Sequence, residues 1–147
     1  LYIEPGRSLV CSAGFTLYTI GSIKEIENIR KYITIDGGMA DNPRPSMYEA
    51  KYEAIIVNKK EENKQELVTV AGKFCESGDI LIKDIELNNP QSGDILCVFD
   101  TGAYCYSMSS NYNSSLKPAM VMIDEGKDKL ILKRQTLNQL VQNDIID

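Results

Sequence analysis

The chain has 147 residues, of which 43% are hydrophobic and 25% charged, a composition typical of one globular domain with its own core. Its net charge is −5, and the lack of a basic stripe argues against a nucleic-acid surface. No apolar run approaches the roughly 20 residues of a membrane span, and the first residues lack the pattern of a signal peptide.

The cysteines and the lack of histidine limit the chemistry that we expect. The four cysteines, at positions 11, 75, 97 and 105, form no CxxC pair, and the chain contains no histidine. No metal site is therefore expected, and free thiols fit a reducing compartment such as the cytoplasm. Any acid–base chemistry must use Cys, Tyr, Lys or carboxylate side chains.

The first half of the chain predicts short strands separated by turns. Residues 1–3 are predicted as the end of a buried strand, and residues 8–13 as a helical or irregular connector. Alternating β-branched and aromatic residues predict strands over 15–20 and 32–36, with a loop or hairpin tip over 23–31. The two prolines of the segment 41–45 predict irregular structure there, followed by a helical turn over 46–52.

The second half continues the same pattern. Strands are predicted over 54–57, 67–71, 80–82, 95–99, 119–123 and 130–133. Residues 58–66 are predicted as a solvated loop, and 103–115 are ambiguous between helix and loop. Thr136 and Gln139 have the spacing of a capping box, which predicts a helix over 134–147. Many short strands with Gly and Pro turns predict a mainly β fold, an antiparallel barrel or sandwich.

A turn between two predicted strands carries the residues best suited to chemistry. This turn reads Gly72-Lys73-Phe74-Cys75-Glu76-Ser77-Gly78-Asp79. A thiol next to a carboxylate places a proton donor beside an anion, and glycines let the backbone approach a ligand. The alternative is a simple turn with a buried cysteine, since most free cysteines behave as small hydrophobes.

The segment Glu4-Pro5-Gly6-Arg7 is a second candidate. Glu4 could meet a ring nitrogen, Gly6 allows close approach to a phosphate, and Arg7 could pair with phosphate or carboxylate. Its alternative is a solvated turn.

Two further candidates are an arginine and a tyrosine. Arg44 lies between two prolines with Tyr48 four residues later, which suits recognition of a carboxylate; a surface pair with Asp41 is the alternative. Tyr104 could stack on a ligand or hydrogen-bond to it, or could be an ordinary core tyrosine.

Taken together, these segments resemble one enzyme family. The shared motifs are EPGR at 4–7, YITIDGGMADNPRPSMY at 32–48, GKFCESGD at 72–79, GDIL at 93–96 and TGAYCYSMSSNYN at 101–113. They resemble the C-terminal part of the diaminopimelate decarboxylases, which belong to the pyridoxal-phosphate-dependent ornithine/diaminopimelate/arginine decarboxylases. The resemblance implies that residues 1–13 end a (β/α)8 barrel, 14–133 form an alanine-racemase-like β-domain, and 134–147 form a C-terminal helix.

The resemblance implies a pyridoxal 5′-phosphate site. Glu4 would keep the pyridine nitrogen protonated, which makes the ring an electron sink. Gly6, Arg7 and Tyr104 would contribute to the cofactor cradle. The family's Schiff-base lysine would lie upstream, outside this chain, so the chain alone is expected to be inactive.

The resemblance also implies the substrate contacts. Cys75 would be the catalytic proton donor, and Glu76 would bind the far ammonium group of the substrate. The remaining implied substrate-binding residues are Arg7, Arg44, Tyr48 and Tyr104.

The implied whole enzyme is a carboxy-lyase that converts meso-2,6-diaminopimelate to L-lysine and CO2, the last step of lysine biosynthesis. It would act in the cytoplasm as a homodimer, because the cysteine-bearing loop of this family reaches into the partner's site. The implied partner is a small amino-acid substrate, with neither nucleic acid nor membrane. The alternatives are a related decarboxylase of the ornithine or arginine type and a non-catalytic β-barrel binding module.

Overall fold

A computed structural model describes residues 1–59 and 64–145, which form a six-stranded sheet and a separate hairpin. The strands of the sheet are β1 (Thr16–Ile26), β2 (Arg30–Ile35), β3 (Ala54–Ile56), β4 (Gln65–Ala71), β5 (Ile80–Asn88) and β6 (Ile95–Val98). The hairpin consists of β7 (Met120–Asp124) and β8 (Lys127–Leu132). Single helical turns are α1 (Arg7–Val10), α2 (Arg44–Tyr48) and α3 (Leu137–Leu140), and 3-10 turns lie at Cys11–Ala13, Tyr106–Met108 and Tyr112–Ser114.

The sheet curves into a nearly closed barrel. Its strand order is β3-β6-β1-β2-β4-β5, and the two outer strands of this order, β3 and β5, lie close to each other. The predicted mainly β, barrel-like fold is therefore confirmed. The predicted antiparallel pairing is wrong for one pair, since β2 and β4 run parallel with Tyr32 opposite Thr69. A long crossover between these strands returns the chain to the same end of the sheet, as parallel pairing requires.

Alternate residues of the strands fill the barrel. In β1 the side chains of Tyr18 and Ile20 are buried on either side of the exposed Thr19, and in β2 Ile33 and Ile35 follow the same period of two. Full burial of a side chain such as Ile33 contributes about 1.5–3 kcal/mol. The other strands add Ala54, Ile56, Val68, Val70, Leu81, Ile82, Leu87, Leu96 and Val98.

Two predictions about the first half of the chain are wrong in detail. The proline-containing segment is not irregular throughout, because α2 begins at Arg44. Pro43 is the N-cap of α2 and Pro45 lies in its first turn, where a missing backbone N–H costs no helical hydrogen bond. The predicted loop over 23–31 shrinks to a tight turn around Asn28, whose φ is 58°. β1 and β2 extend toward that turn from both sides.

The two ends of the chain also differ from prediction. Residues 1–3 are exposed and lie in no strand, because no described strand pairs with them. The capping box of Thr136 and Gln139 is confirmed, but α3 is one turn rather than a helix over 134–147. Such a short helix with exposed apolar residues has little to stabilise it. Residues 60–63 of the predicted loop and 146–147 of the predicted helix lie outside the described residues.

No described helix is long and apolar enough to cross a membrane.

Candidate active site

Three loops converge at one end of the barrel and bring the candidate residues together. The loops are the Arg44 loop (residues 36–48), the Cys75 loop (72–79) and the Tyr104 loop (101–115). The Ser46 hydroxyl donates to the Gly78 carbonyl at 2.8 Å, which joins the first loop to the second. The backbone N–H of Ser110 donates to the Ala40 carbonyl at 2.8 Å, which joins the third loop to the first.

The Asp79 carboxylate joins two of these loops. It is 3% exposed and accepts the backbone N–H of Met39 at 2.7 Å and that of Phe74 at 2.8 Å. Burial raises the pKa of Asp79, and the two N–H donors oppose this effect. A Cβ at Gly38 would lie 2.5 Å from this carboxylate, and one at Gly72 would lie 2.1 Å from it. Glycine at both contacts is therefore needed for the carboxylate to reach both loops.

Arg44 lies between two aromatic rings. Its guanidinium carbon is 5.5 Å from the centroid of the Tyr48 ring and 5.8 Å from that of Tyr104. Its Nε is buried and has no hydrogen-bond partner among the described residues. The alternative that Arg44 pairs with Asp41 is wrong, because Asp41 instead accepts hydrogen bonds from the Tyr18 hydroxyl and a backbone N–H. Arg44 can therefore bind a carboxylate supplied by a ligand.

Tyr104 faces the segment that carries Gly6. The side chain is 45% exposed, so the alternative of a core tyrosine is wrong. A Cβ at Gly6 would lie only 1.9 Å from the Tyr104 hydroxyl oxygen, so the backbone of Gly6 and the phenol need a glycine to approach each other. The Tyr104 hydroxyl and the backbone of Gly6, which carries no side chain, together suit an anionic ligand such as a phosphate. These residues fit the phosphate end of pyridoxal phosphate.

Glu4 and Arg7 flank this position. Both side chains are exposed, and no described residue donates a hydrogen bond to the Glu4 carboxylate. The Arg7 Nε donates to the Cys11 sulfur at 3.2 Å, and that thiol donates to the Asp100 carbonyl at 3.0 Å. The hydrogen bond to Cys11 raises the pKa of Arg7 further above its ordinary value, so the guanidinium remains charged. The Glu4 carboxylate suits the pyridine nitrogen of pyridoxal phosphate. The Arg7 guanidinium suits the phosphate at the other end of the same cofactor.

Cys75 and Glu76 are exposed on the Cys75 loop, so the alternative of a buried cysteine is wrong. The Glu76 carboxylate accepts a hydrogen bond from the Tyr112 hydroxyl, and the Asn113 side-chain amide lies 3.5 Å from the Cys75 sulfur. Within the described part of the chain, no hydrogen bond or ion pair links this group to Arg44.

Sequence reasoning did not select three of the residues that build the site: Asp79, Tyr112 and Asn113. All three lie inside the shared motifs at 72–79 and 101–113. Their membership in these motifs is therefore the sequence signal that could identify them as site residues.

Comparison with known proteins places these loops in a family. Residues 9–102 match the family described as "Pyridoxal-dependent decarboxylase, C-terminal sheet domain". A diaminopimelate decarboxylase of Staphylococcus aureus (strain COL) is 54% identical over 143 residues, covering 97% of this chain and 34% of that protein. One of Bacillus subtilis (strain 168) is 52% identical over 145 residues, covering 99% of this chain and 33% of that protein. The chain thus spans about a third of the length of these relatives.

A solved structure agrees with the same assignment. The crystal structure of diaminopimelate decarboxylase from M. jannaschii in co-complex with L-lysine superposes with a TM-score of 0.92 at 43% identity. The match covers 98% of this chain and 32% of that chain. The barrel and its loops are therefore shared with a protein that binds an amino acid.

Proposed function

The chain belongs to the pyridoxal-dependent decarboxylases, and from that membership we propose that the whole protein is a diaminopimelate decarboxylase. It converts meso-2,6-diaminopimelate to L-lysine and CO2 with pyridoxal 5′-phosphate. The names of the relatives support this substrate, and the bound L-lysine of the M. jannaschii structure corresponds to the proposed product. In this proposal residues 1–13 continue the catalytic barrel, 14–133 are the β-domain, and 134–147 form its C-terminal segment.

The observation that carries the proposal is the environment of the Arg44 side chain. Its buried Nε has no hydrogen-bond partner among the described residues, and the rings of Tyr48 and Tyr104 limit the position of its guanidinium. Diaminopimelate has a second carboxylate at the end remote from the reacting carbon, whereas ornithine and arginine do not. An arginine held between two rings at that end is therefore useful for diaminopimelate and has no anionic partner in the other two substrates.

The residues of this chain divide the work between cofactor and substrate. Bound pyridoxal phosphate withdraws electrons from the carbon that loses CO2. Glu4 holds the pyridine nitrogen, while Gly6, Arg7 and Tyr104 hold the phosphate side of the cofactor and the near end of the substrate. The Cys75 thiol then delivers a proton to the carbon that lost CO2, and Glu76 binds the far ammonium group.

The protein acts as a homodimer in the cytoplasm, with each site built from two subunits. Exposure of Cys75 and Glu76, and the lack of a bond between this group and Arg44 in the described chain, support a Cys75 loop that serves the partner's site. A cytoplasmic location agrees with free thiols at all four cysteines.

The test is the substrate preference of the full-length enzyme with Arg44→Ala. Loss of the carboxylate partner in a closed site costs about 2–5 kcal/mol, so kcat/KM for diaminopimelate should fall at least tenfold. Any residual use of lysine or ornithine should change little. Arg134→Ala is the matched control, because this arginine is exposed and has no described partner. Equal losses for all substrates, or a wild-type preference for ornithine or arginine, would contradict the proposal.

A further inference from the structure

Two consecutive residues of the Tyr104 loop contact the two consecutive residues Cys75 and Glu76. Tyr112 donates its hydroxyl hydrogen to a carboxylate oxygen of Glu76. Asn113 directs its side-chain amide at the Cys75 sulfur at 3.5 Å. Glu76 and Cys75, the two side chains of this loop proposed to touch the substrate, each therefore contact a neutral hydrogen-bond donor.

The local backbone is shaped for this double contact. Asn113 and Ser114 have φ values of 49° and 57°, in the left-handed region, which asparagine tolerates better than most residues. The ring of Tyr112 meets that of Phe74 edge-on, with centroids 5.7 Å apart. Asn111 braces the turn by donating to the Ser115 carbonyl at 2.8 Å. The turn is thus fixed to the Cys75 loop by ring packing as well as by hydrogen bonds.

We propose that Tyr112 and Asn113 are positioning residues with separate tasks, Tyr112 in substrate binding through Glu76 and Asn113 in proton delivery through Cys75. The proposal rests on the roles of Glu76 and Cys75 in the proposed function.

Tyr112 prepares the Glu76 carboxylate for a cation. No described Lys or Arg forms an ion pair with Glu76, so its charge is not neutralised within the described part of the chain. The bond from Tyr112 occupies one carboxylate oxygen and fixes the side chain, which leaves the other oxygen for an ammonium group. The hydrogen bond to Glu76 raises the pKa of Tyr112 to about 12, so the phenol remains a donor at neutral pH.

Asn113 acts on the thiol. When Cys75 delivers its proton, the S–H bond breaks, a C–H bond forms at the carbon that lost CO2, and the electron pair remains on sulfur as a thiolate. A solvent proton later restores the thiol. The Asn113 N–H orients the sulfur before transfer and donates to the thiolate afterwards, and donation to an ion is stronger than donation to a neutral group. This interaction grows during the transfer, so it accelerates the step rather than strengthening substrate binding.

The two tasks predict different kinetic changes in the full-length enzyme. Tyr112→Phe keeps the ring contact with Phe74 but removes the hydroxyl. It should raise KM for diaminopimelate and weaken equilibrium binding of L-lysine roughly tenfold, with kcat nearly unchanged. Asn113→Ala should lower kcat roughly tenfold, leave lysine binding unchanged and increase the solvent deuterium isotope effect on kcat. Asn113→Asp preserves size and tolerance of positive φ while removing the donor, and should lower kcat as well.

Controls remove the same groups elsewhere. Tyr32→Phe deletes a phenol that has no described hydrogen bond, and Asn28→Ala deletes an asparagine at φ 58° in an exposed turn. Both should match the wild type. Variants of Tyr112 and Asn113 that change kcat and KM together by the same factor, or that match the wild type, would overturn the inference. Cys75→Ala and Glu76→Ala are measured in parallel: wild-type behaviour of these two would instead contradict the proposed function itself.

Discussion

The Asp79 carboxylate accepts the backbone N–H of Met39 at 2.7 Å, and this bond joins the Cys75 loop to the Arg44 loop. Its second oxygen accepts the Phe74 N–H, within the Cys75 loop itself. In the proposed dimer these loops serve different active sites. One buried side chain therefore sets the position of groups that act in two sites.

Asp79→Asn should destabilise the protein and disturb both loops. An asparagine can accept only one of the two N–H groups and turns its own NH2 toward the other. An unsatisfied buried donor costs about 1–3 kcal/mol, which urea denaturation followed by tyrosine fluorescence can measure. Asp124→Asn, at an exposed position of β7, is the control and should have no effect. Equal stability of Asp79→Asn and the wild type would mean that the two bonds do not contribute.

Mixed dimers test whether the sites are shared. Subunits with Cys75→Ala should be poorly active because loss of a general acid typically costs ~10²–10⁴-fold. Subunits with Arg44→Ala should be poorly active because they lack the carboxylate partner of the substrate. In a mixed dimer, one site receives an intact Arg44 from one subunit and an intact Cys75 from the other. Random mixing should therefore restore roughly a quarter of wild-type activity, because about half the dimers are mixed and each has one whole site. Mixtures that remain as inactive as the parents would mean that Cys75 serves its own subunit.

Gly6→Ala should weaken cofactor binding without unfolding the domain. The added Cβ would meet the Tyr104 hydroxyl at 1.9 Å, so the phenol must leave its position. Loss of one hydrogen bond to a charged phosphate costs about 1.5–3 kcal/mol, equivalent to at least roughly tenfold in affinity. Titration of the full-length apoenzyme with pyridoxal phosphate measures this change. Gly78→Ala is the control, because no described atom lies within 4 Å of a Cβ there. Unchanged affinity in Gly6→Ala would remove Gly6 and Tyr104 from the cofactor cradle.

Asp94 should make stability depend on pH. Burial opposes its ionisation, but Lys59, with its Nζ 2.7 Å away, and the Gln91 N–H outweigh burial and lower the pKa of Asp94. A carboxyl whose pKa is lower in the folded state stabilises the fold fully above its unfolded pKa of about 3.9. That contribution is lost as the pH falls through the lower folded pKa.

Asp94→Asn should therefore reduce the free energy of unfolding at neutral pH by about 1–3 kcal/mol. The difference from the wild type should shrink as the pH falls below the unfolded pKa, which denaturation at several pH values would show. Asp128→Asn, on the exposed β8, should match the wild type throughout. A difference that is constant with pH would mean that Asp94 stabilises by its shape rather than by its charge.

Local sequence patterns predicted the strands well and their partners poorly. The alternation at Ile33 and Ile35 identified β2, because a strand with one buried face shows this alternation within its own sequence. The parallel pairing of Tyr32 with Thr69 has no local signature, since it depends on the path of the crossover. The prolines beside Arg44 suggested irregular structure, although a helix tolerates proline in its first turn.

Local patterns predicted the candidate site only as separate motifs, and the family resemblance alone joined them into one site. Cys75 and Arg44 stood out because of their chemistry and their glycine or proline neighbours. Tyr112 and Asn113 belong to the segment 103–115, which the sequence leaves ambiguous between helix and loop. Nothing local indicates that they face Cys75 and Glu76. That contact depends on three loops meeting, which is decided by the barrel and by Asp79.

The parallel pairing of β2 with β4 also has a kinetic consequence. The whole Arg44 loop lies within the stretch of chain that this pair closes, and the Cys75 loop begins directly after it. Closing so long a stretch costs chain entropy before any contact compensates, and pairings of this kind are formed slowly. The two loops thus acquire their final geometry only after this non-local parallel pairing has formed. Point mutations that slow β2–β4 closure should delay the appearance of a competent site more than the appearance of β-structure.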